Sequence, residues 1–311
     1  MTPKLVEKIA KNVSDDPKLK SVKHFSCSEI GELFMNPQAI ESLRIIKGIL
    51  PDCTISVFTN FSLFTEEKII IALQEGLIDH LTCNIDGHDD YHYRAVKGID
   101  FERTRENILS FLRIRNQLDA KVSLNIYSIP YAHYVTVIKN NFGFIPSKLR
   151  GIEAIQAKDD FAQIKRFWKP LLNSQSDRII HLSTVSAWAE RSEFADTAVD
   201  YRKYTCPILE RIRHEANIAP DGKWYACCTD VNLECIIGNV EDDSLGNLST
   251  SVERKRIISA LENRKFEEVG GPCKTIMCCQ RLHRSRLLTS LMPTIFSHPR
   301  AVNMIMRLKE I

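Results

Sequence analysis

No run of eighteen apolar residues occurs anywhere in the sequence, so nothing in it reads as a membrane-crossing helix. Neither sign of charge dominates. Forty-two Lys and Arg stand against thirty-nine Asp and Glu, and a net of +3 is too small to point to nucleic acid. Internal repeats and low-complexity tracts are missing too, which excludes solenoids and disordered arrays. Met1 to Val13 is charged and helically periodic, unlike a leader. What remains is an ordinary composition, 44% hydrophobic and 26% charged over 311 residues, enough for one large domain or a domain with an appendage.

What the sequence does have is cysteine, ten in all. Cys206, Cys227 and Cys228 form one clump and Cys273, Cys278 and Cys279 another, with about forty residues between them. A Pro-Asp-Gly turn and aromatics, PDGKW, precede Cys227. Four thiolates at one point make a metal or iron–sulfur site, because deprotonated sulfur supplies the charge and softness such a centre needs. Cysteines from several segments suit a folded pocket better than paired zinc knuckles. The spacing favours Cys206, Cys227, Cys273 and Cys278 as ligands, with Cys228 and Cys279 as alternates. Buried structural thiols are the competing explanation, and zinc the competing metal. Cys27, Cys53 and Cys83 sit in apolar surroundings, and this thiol-rich chain without a leader is expected in a reducing, cytoplasmic compartment.

Ahead of the cysteines the pattern alternates between two periods. Residues 3–13 carry Leu5, Val6, Ile9, Ala10 and Val13 on one helical face. Strands are expected at 21–27, 54–59, 80–85, 121–127, 151–156 and 178–183. Helices are expected from Asn36-Pro37, from Thr65-Glu66-Glu67, after the Asp100 cap, and over about 159–172. This rhythm implies a parallel sheet covered by helices, with polar loops after the strands (28–32, 60–62 and 86–90) sharing one mouth. The rhythm stops near 190–205, and a basic helix is expected at 251–263. The tail, 284–311, mixes Arg with Leu, Met and Ile; it reads as an amphipathic helix, packed on its own core more readily than on a membrane.

In that order, the segments resemble the radical S-adenosylmethionine superfamily. FSCSEIGELFMNP (25–37) is similar to its second-strand Gly-Gly-Glu-Pro motif, VFTNFSLFTEE (57–67) to its Thr-Asn-Gly strand, and LTCNIDGHDDYHYRAVKGIDFERTRENI (81–108) to its fourth strand and following helix. Cys206-x15-Gly222-x4-Cys227, followed by Gly238-Asn239-Val240 and SLGNL (244–248), resembles the SPASM/twitch extension that carries an auxiliary [4Fe–4S] cluster. The resemblance implies an α/β fold: an incomplete parallel β/α barrel over 1–195, a cysteine-rich SPASM/twitch extension over 196–285, and a helical tail over 286–311. It also implies S-adenosylmethionine contacts at Gly31, Glu32, Thr59, Asn60 and Asn84, where Glu32 would accept from the cofactor's ammonium. The family's activity is radical modification of a peptide or small metabolite.

The departures bear on activity. The family's Cys-x3-Cys-x2-Cys loop, whose three thiolates leave one iron open to chelate the cofactor, has no counterpart in this sequence. Ile30 and Leu33 replace a Gly and the Pro of one motif, and Phe61 replaces the Gly of the next. The expectation is therefore a barrel lacking its first strand, inactive in cleaving S-adenosylmethionine. Its exposed strand edge would be completed by a protein partner or paralogue, or would aggregate. His88, His92 and His133 read as surface residues, and Asp86-Gly87 as a turn.

Overall fold

A computed structural model describes residues 1–27, 31–128, 160–181, 204–206, 208–275 and 280–281, and the account below concerns those residues. The first helix, α1 (Pro3–Asp15), opens with Thr2, whose hydroxyl accepts from the Leu5 amide at 3.3 Å, and with proline where a missing N–H costs nothing. Five strands follow: β1 (His24–Cys27), β2 (Thr54–Phe58), β3 (His80–Asn84), β4 (Ser123–Ser128) and β5 (Arg178–His181). They pair in chain order, all parallel, with His24 opposite Thr54, Ser56 opposite His80, His80 opposite Ser123 and Asn125 opposite Arg178. The helices between them are α2 (Ala39–Ile49), α3 (Glu66–Gln74), α4 (Asp90–Lys97), α5 (Phe101–Gln117) and α6 (Asp160–Trp168).

Alternation in the strands decides which face the helices cover. Ile55 and Val57, Leu81 and Cys83, and Leu124 and Ile126 are buried together with Leu43 of α2, Ile69 of α3, Phe111 of α5 and Trp168 of α6. Ser56, Asn84 and Asn125 fall on the opposite face and are half-buried. This is the open parallel β/α layer expected from the sequence, with strand ends within a residue or two of those anticipated for β2, β3 and β4. The strand expected at 151–156 and the tail 284–311 lie outside the described residues. The helix expected to start at Asn36-Pro37 begins later, with Gln38 as its N-cap. Asn36 instead ends a short 3₁₀ turn (Leu33–Met35), and its side chain accepts from the Gln38 amide at 3.0 Å.

The C-terminal part is smaller and differently built. Short strands β6 (Tyr204–Thr205) and β10 (Gln280–Arg281) pair antiparallel, and β7 (Asn217–Ile218), β8 (Lys223–Tyr225) and β9 (Ile236–Asn239) form an antiparallel sheet. Helices α7 (Leu209–His214), α8 (Leu245–Ser249), α9 (Val252–Glu262) and α10 (Phe266–Val269) pack around it. Its core gathers Trp224, Ile237, Leu248, Ile257 and Phe266, and also Leu5, Ile9 and Val13 of α1. Val6 of the same helix lies in the first core. The helix is therefore shared. Asn12 accepts from the Leu245 amide at 2.9 Å and Lys8 donates to the Glu241 carbonyl at 2.8 Å. Gly246 comes so near the end of α1 that a Cβ there would lie 1.7 Å from an Asp16 carboxylate oxygen.

At the amino end of the sheet, Arg115 and Asp177 form a buried bidentate pair at 2.8 and 2.9 Å. Asp177 also accepts from the amides of Leu124 and Asn173, at 2.9 and 2.8 Å. Burial alone would raise the Asp177 pKa, but the Arg115 guanidinium and these amides outweigh it and hold the carboxyl below its ordinary range. A lowered folded-state pKa means the stabilisation is complete above the unfolded carboxylate value of about 3.9 and disappears as pH falls through the folded value. Replacing Asp177 with Asn should leave Arg115 buried without its counter-charge and cost about 3–5 kcal/mol in urea unfolding at neutral pH. The same variant should lose part of the acid-induced drop in stability, and an unchanged acid profile would contradict this account.

Candidate functional site

The hairpin that leads to Cys227 is set by its turn. Gly222 donates to the Ala219 carbonyl at 2.9 Å and adopts φ +85°, which a side chain disfavours. A Cβ there would also lie 2.5 Å from the Asn239 side-chain oxygen. The Gly222 carbonyl in turn accepts from Val240 at 2.9 Å, which locks β8 beside β9. From this turn, β8 carries Trp224, Tyr225, Ala226 and Cys227 into the interior, all buried. The glycine of the Gly-x4-Cys spacing thus has a steric reason, and it fixes the approach of the cysteine.

The Cys227 sulfur accepts from the Thr229 amide at 3.4 Å and shares a hydrogen bond with the Thr229 hydroxyl at 3.0 Å. The loop continues through Asp230, which is almost wholly buried. Its amide donates to the Cys227 carbonyl at 2.9 Å, and its carboxylate accepts from the amides of Glu234 and Cys235 at 3.0 and 2.7 Å. Cys235, not anticipated as part of the site, returns beside Ala226, whose amide donates to its carbonyl at 2.9 Å. Its thiol donates to the Val269 carbonyl at 3.5 Å, and burial together with Asp230 and Glu234 pushes its pKa up to about 12. Gly271 presses on the same sulfur, since a Cβ there would lie 2.9 Å from it. That contact brings the Cys273 segment onto the Cys227–Cys235 loop, and Cys227, Cys235 and Cys273 share one core.

The other end of the region is drawn in by strand pairing. Thr205, just before Cys206, lies opposite Gln280, just after Cys279, and Cys206 packs against the same core. Cys278 and Cys279 themselves lie outside the described residues. Cys228 is half-buried, with Arg211 of α7 at 3.9 Å from its sulfur. Among the described residues, no three His, Cys, Asp or Glu side chains stand in metal-holding geometry. Cys227 and Cys273 lie in one core and Cys206 packs against it, but among the described residues the three do not stand in ligating geometry.

At the barrel mouth, the structure brings Glu32, Thr59 and Asn60 together. Glu32 accepts from the Thr59 hydroxyl at 2.9 Å, the Asn60 amide at 2.7 Å and the Phe34 amide at 3.2 Å. Most of its acceptor capacity goes to joining the loops after β1 and β2. Gly31 is exposed at φ +101°, and Asn84, at the end of β3, has its side-chain oxygen buried with no hydrogen-bond partner among the described residues. Phe61, where the resembling motif has Gly, keeps a glycine-like φ of +60° while its ring is fully buried between Phe64 and Phe111. Asp86 and Gly87 do not form the expected turn; Asp86 is buried 2.8 Å from Lys97, whose charge offsets the burial of the carboxylate. His88 pairs with Asp89 at 3.3 Å, and His133 lies outside the described residues.

Residues 206–280 match the family model of the SPASM iron–sulfur cluster-binding domain. In structure the chain is similar to anSMEcpe with bound AdoMet (TM-score 0.53, 13% identity, 98% of this chain and 86% of that one). It is also similar to Streptococcus suis SuiB bound to S-adenosylmethionine (TM-score 0.51, 14% identity, 89% and 64%). SuiB bound to the precursor peptide SuiA gives TM-score 0.50 at 15% identity over 83% and 60%. No curated protein matches the chain in sequence. The fold is the radical-SAM-type partial barrel with a SPASM extension.

Substituting Ala for Gly222 forces a left-handed backbone and a clash with Asn239, and should destabilise the hairpin by at least about 1 kcal/mol. Hydrogen exchange should then show lost protection over 217–240, with β2–β4 unaffected; wild-type protection there would contradict the role given to this turn.

Proposed function

We infer, from a chain with the radical-SAM-type fold and a SPASM domain at residues 206–280, an iron–sulfur protein whose auxiliary [4Fe–4S] cluster is held by Cys206, Cys227, Cys273 and Cys278. Cys228 and Cys279 are the adjacent thiols that stand as alternates. The single observation that carries the reading is the pairing of Thr205 with Gln280, which sets the residue before Cys206 opposite the residue after Cys279, while Cys227 and Cys273 share the core that Cys206 packs against. Four thiolates hold every iron of such a cluster, so it supplies electron storage or structural rigidity and leaves no iron open for a cofactor's amine and carboxylate.

The sequence has no Cys-x3-Cys-x2-Cys, and Glu32 is largely engaged by Thr59, Asn60 and Phe34. Both support a polypeptide that does not cleave S-adenosylmethionine by itself. Its role is then that of a cluster-bearing module for a peptide or small molecule, acting alone or beside a protein partner or paralogue that completes the barrel next to β1, an edge strand among the described residues. The division proposed with it is a barrel over 1–195, a cluster domain over 196–285 and a tail over 286–311, and the thiol content suits the cytoplasm. Nucleic acid is not among the partners proposed, and a membrane is not needed.

Anaerobic purification should yield a brown protein with iron and sulfide in a four-to-four ratio per chain. C206A and C273A should each abolish the visible absorption and lower the stability of the C-terminal part, because metal-binding free energy is folding free energy there. Supplied with reductant and S-adenosylmethionine, the protein should release no 5′-deoxyadenosine. A colourless protein carrying one zinc would replace this reading with a zinc-stabilised structural domain.

A further inference from the structure

Thr229 stands out because its hydroxyl and its amide both face one sulfur. The side chain is buried, and among the described residues its hydroxyl meets no partner except Cys227 Sγ at 3.0 Å. The amide of the same residue lies 3.4 Å from that sulfur. A hydroxyl held in a core needs a partner to offset its lost hydration. A thiolate bound to iron carries no proton, so with the cluster in place the hydroxyl must be the donor. The loop holds Thr229 in this position. The Asp230 amide bonds the Cys227 carbonyl, and the Asp230 carboxylate closes the following turn on Glu234 and Cys235. Cys228 is half-buried beside the exposed Arg211, and its side chain hydrogen-bonds that of Cys227, whereas the Thr229 hydroxyl and amide both address Cys227.

We propose that Thr229 is a positioning residue for the cluster: its two hydrogen bonds select Cys227 over Cys228 as the ligand and favour the reduced form of the cluster. This rests on the cluster reading above. An electron taken from an external reductant such as dithionite adds negative charge that spreads onto the ligating sulfurs. Donors aimed at those sulfurs stabilise the reduced state more than the oxidised one, which raises the potential. The hydroxyl supplies one such donor, and its loss shifts the balance in the opposite direction.

The test compares wild type, T229V, T229S, C227A and C228A after anaerobic reconstitution, reading iron and sulfide per chain and the fraction reduced in a dithionite titration. T229V removes the hydroxyl at nearly constant shape and keeps the amide. It should retain the cluster, but with a reduced-to-oxidised ratio about five- to tenfold lower at the wild-type midpoint, and T229S should return the ratio towards wild type. C227A should lose the iron and C228A should keep it. If T229V cannot hold a cluster, T229S decides: a loaded T229S supports the hydroxyl, and an empty one overturns its role. A loaded wild type with an unshifted T229V, or iron lost from C228A and kept by C227A, overturns this inference alone. A wild type that takes up no iron and sulfide overturns the cluster reading and this inference with it.

Discussion

Antiparallel pairing of residues 204–205 with 280–281 is the constraint on which the candidate centre depends. It is only two residues long, so it contributes little energy by its own hydrogen bonds. Its importance is topological. Everything between Thr205 and Gln280 becomes a closed loop, and Cys206 at its start packs against the core that holds Cys227 and Cys273. Inside the loop, two glycines set the remaining distances. Gly222 turns the hairpin that delivers Cys227, and Gly271 lets the Cys273 segment settle against Cys235. Sulfur is therefore placed by backbone geometry in three separate segments, which a core of ordinary apolar side chains then holds.

The two parts of the molecule are joined through α1. Leu5, Ile9 and Val13 complete the cysteine-bearing core, and Val6 belongs to the sheet's core. A helix with residues in both cores holds the two parts together. Gly246 allows that contact by letting α8 approach the Asp16 carboxylate more closely than any side chain would permit. The mouth of the barrel is organised differently, by polar contacts. Glu32 ties the loops after β1 and β2 together, while the Asn84 side-chain oxygen at the neighbouring strand end is buried without a partner among the described residues.

Much of the sheet was legible because its signal is local. TISVF, HLTCN and SLNIYS alternate, and the helices between them carry apolar stripes, so period alone separates the two. The start of α2 was misplaced because Asn36 satisfies the Gln38 amide from a 3₁₀ turn, and an asparagine serving a turn looks in sequence like one serving a helix. Arg115 and Asp177 are sixty-two residues apart, and no spacing rule connects them. Within the candidate centre, the Gly222–Cys227 interval was readable, since it reflects a turn followed by a strand. Cys235 was passed over because it belongs to neither clump. Thr229 had a faint signal, a hydroxyl residue two places after a cysteine, but its meaning appears only when both donors are seen to point at sulfur. Phe61 is the opposite case: the letter departs from the motif while the backbone angle does not.

The shared helix also bears on how the chain is made. Synthesis delivers α1 long before its partners: Asn12 and the Leu245 amide that it accepts from are separated by 233 positions. Until the later segment leaves the ribosome, Leu5, Ile9 and Val13 face water or a chaperone, even if the sheet has already folded behind them. The nascent barrel is thus born with one greasy flank, and its maturation is timed by the arrival of the thiol-rich end.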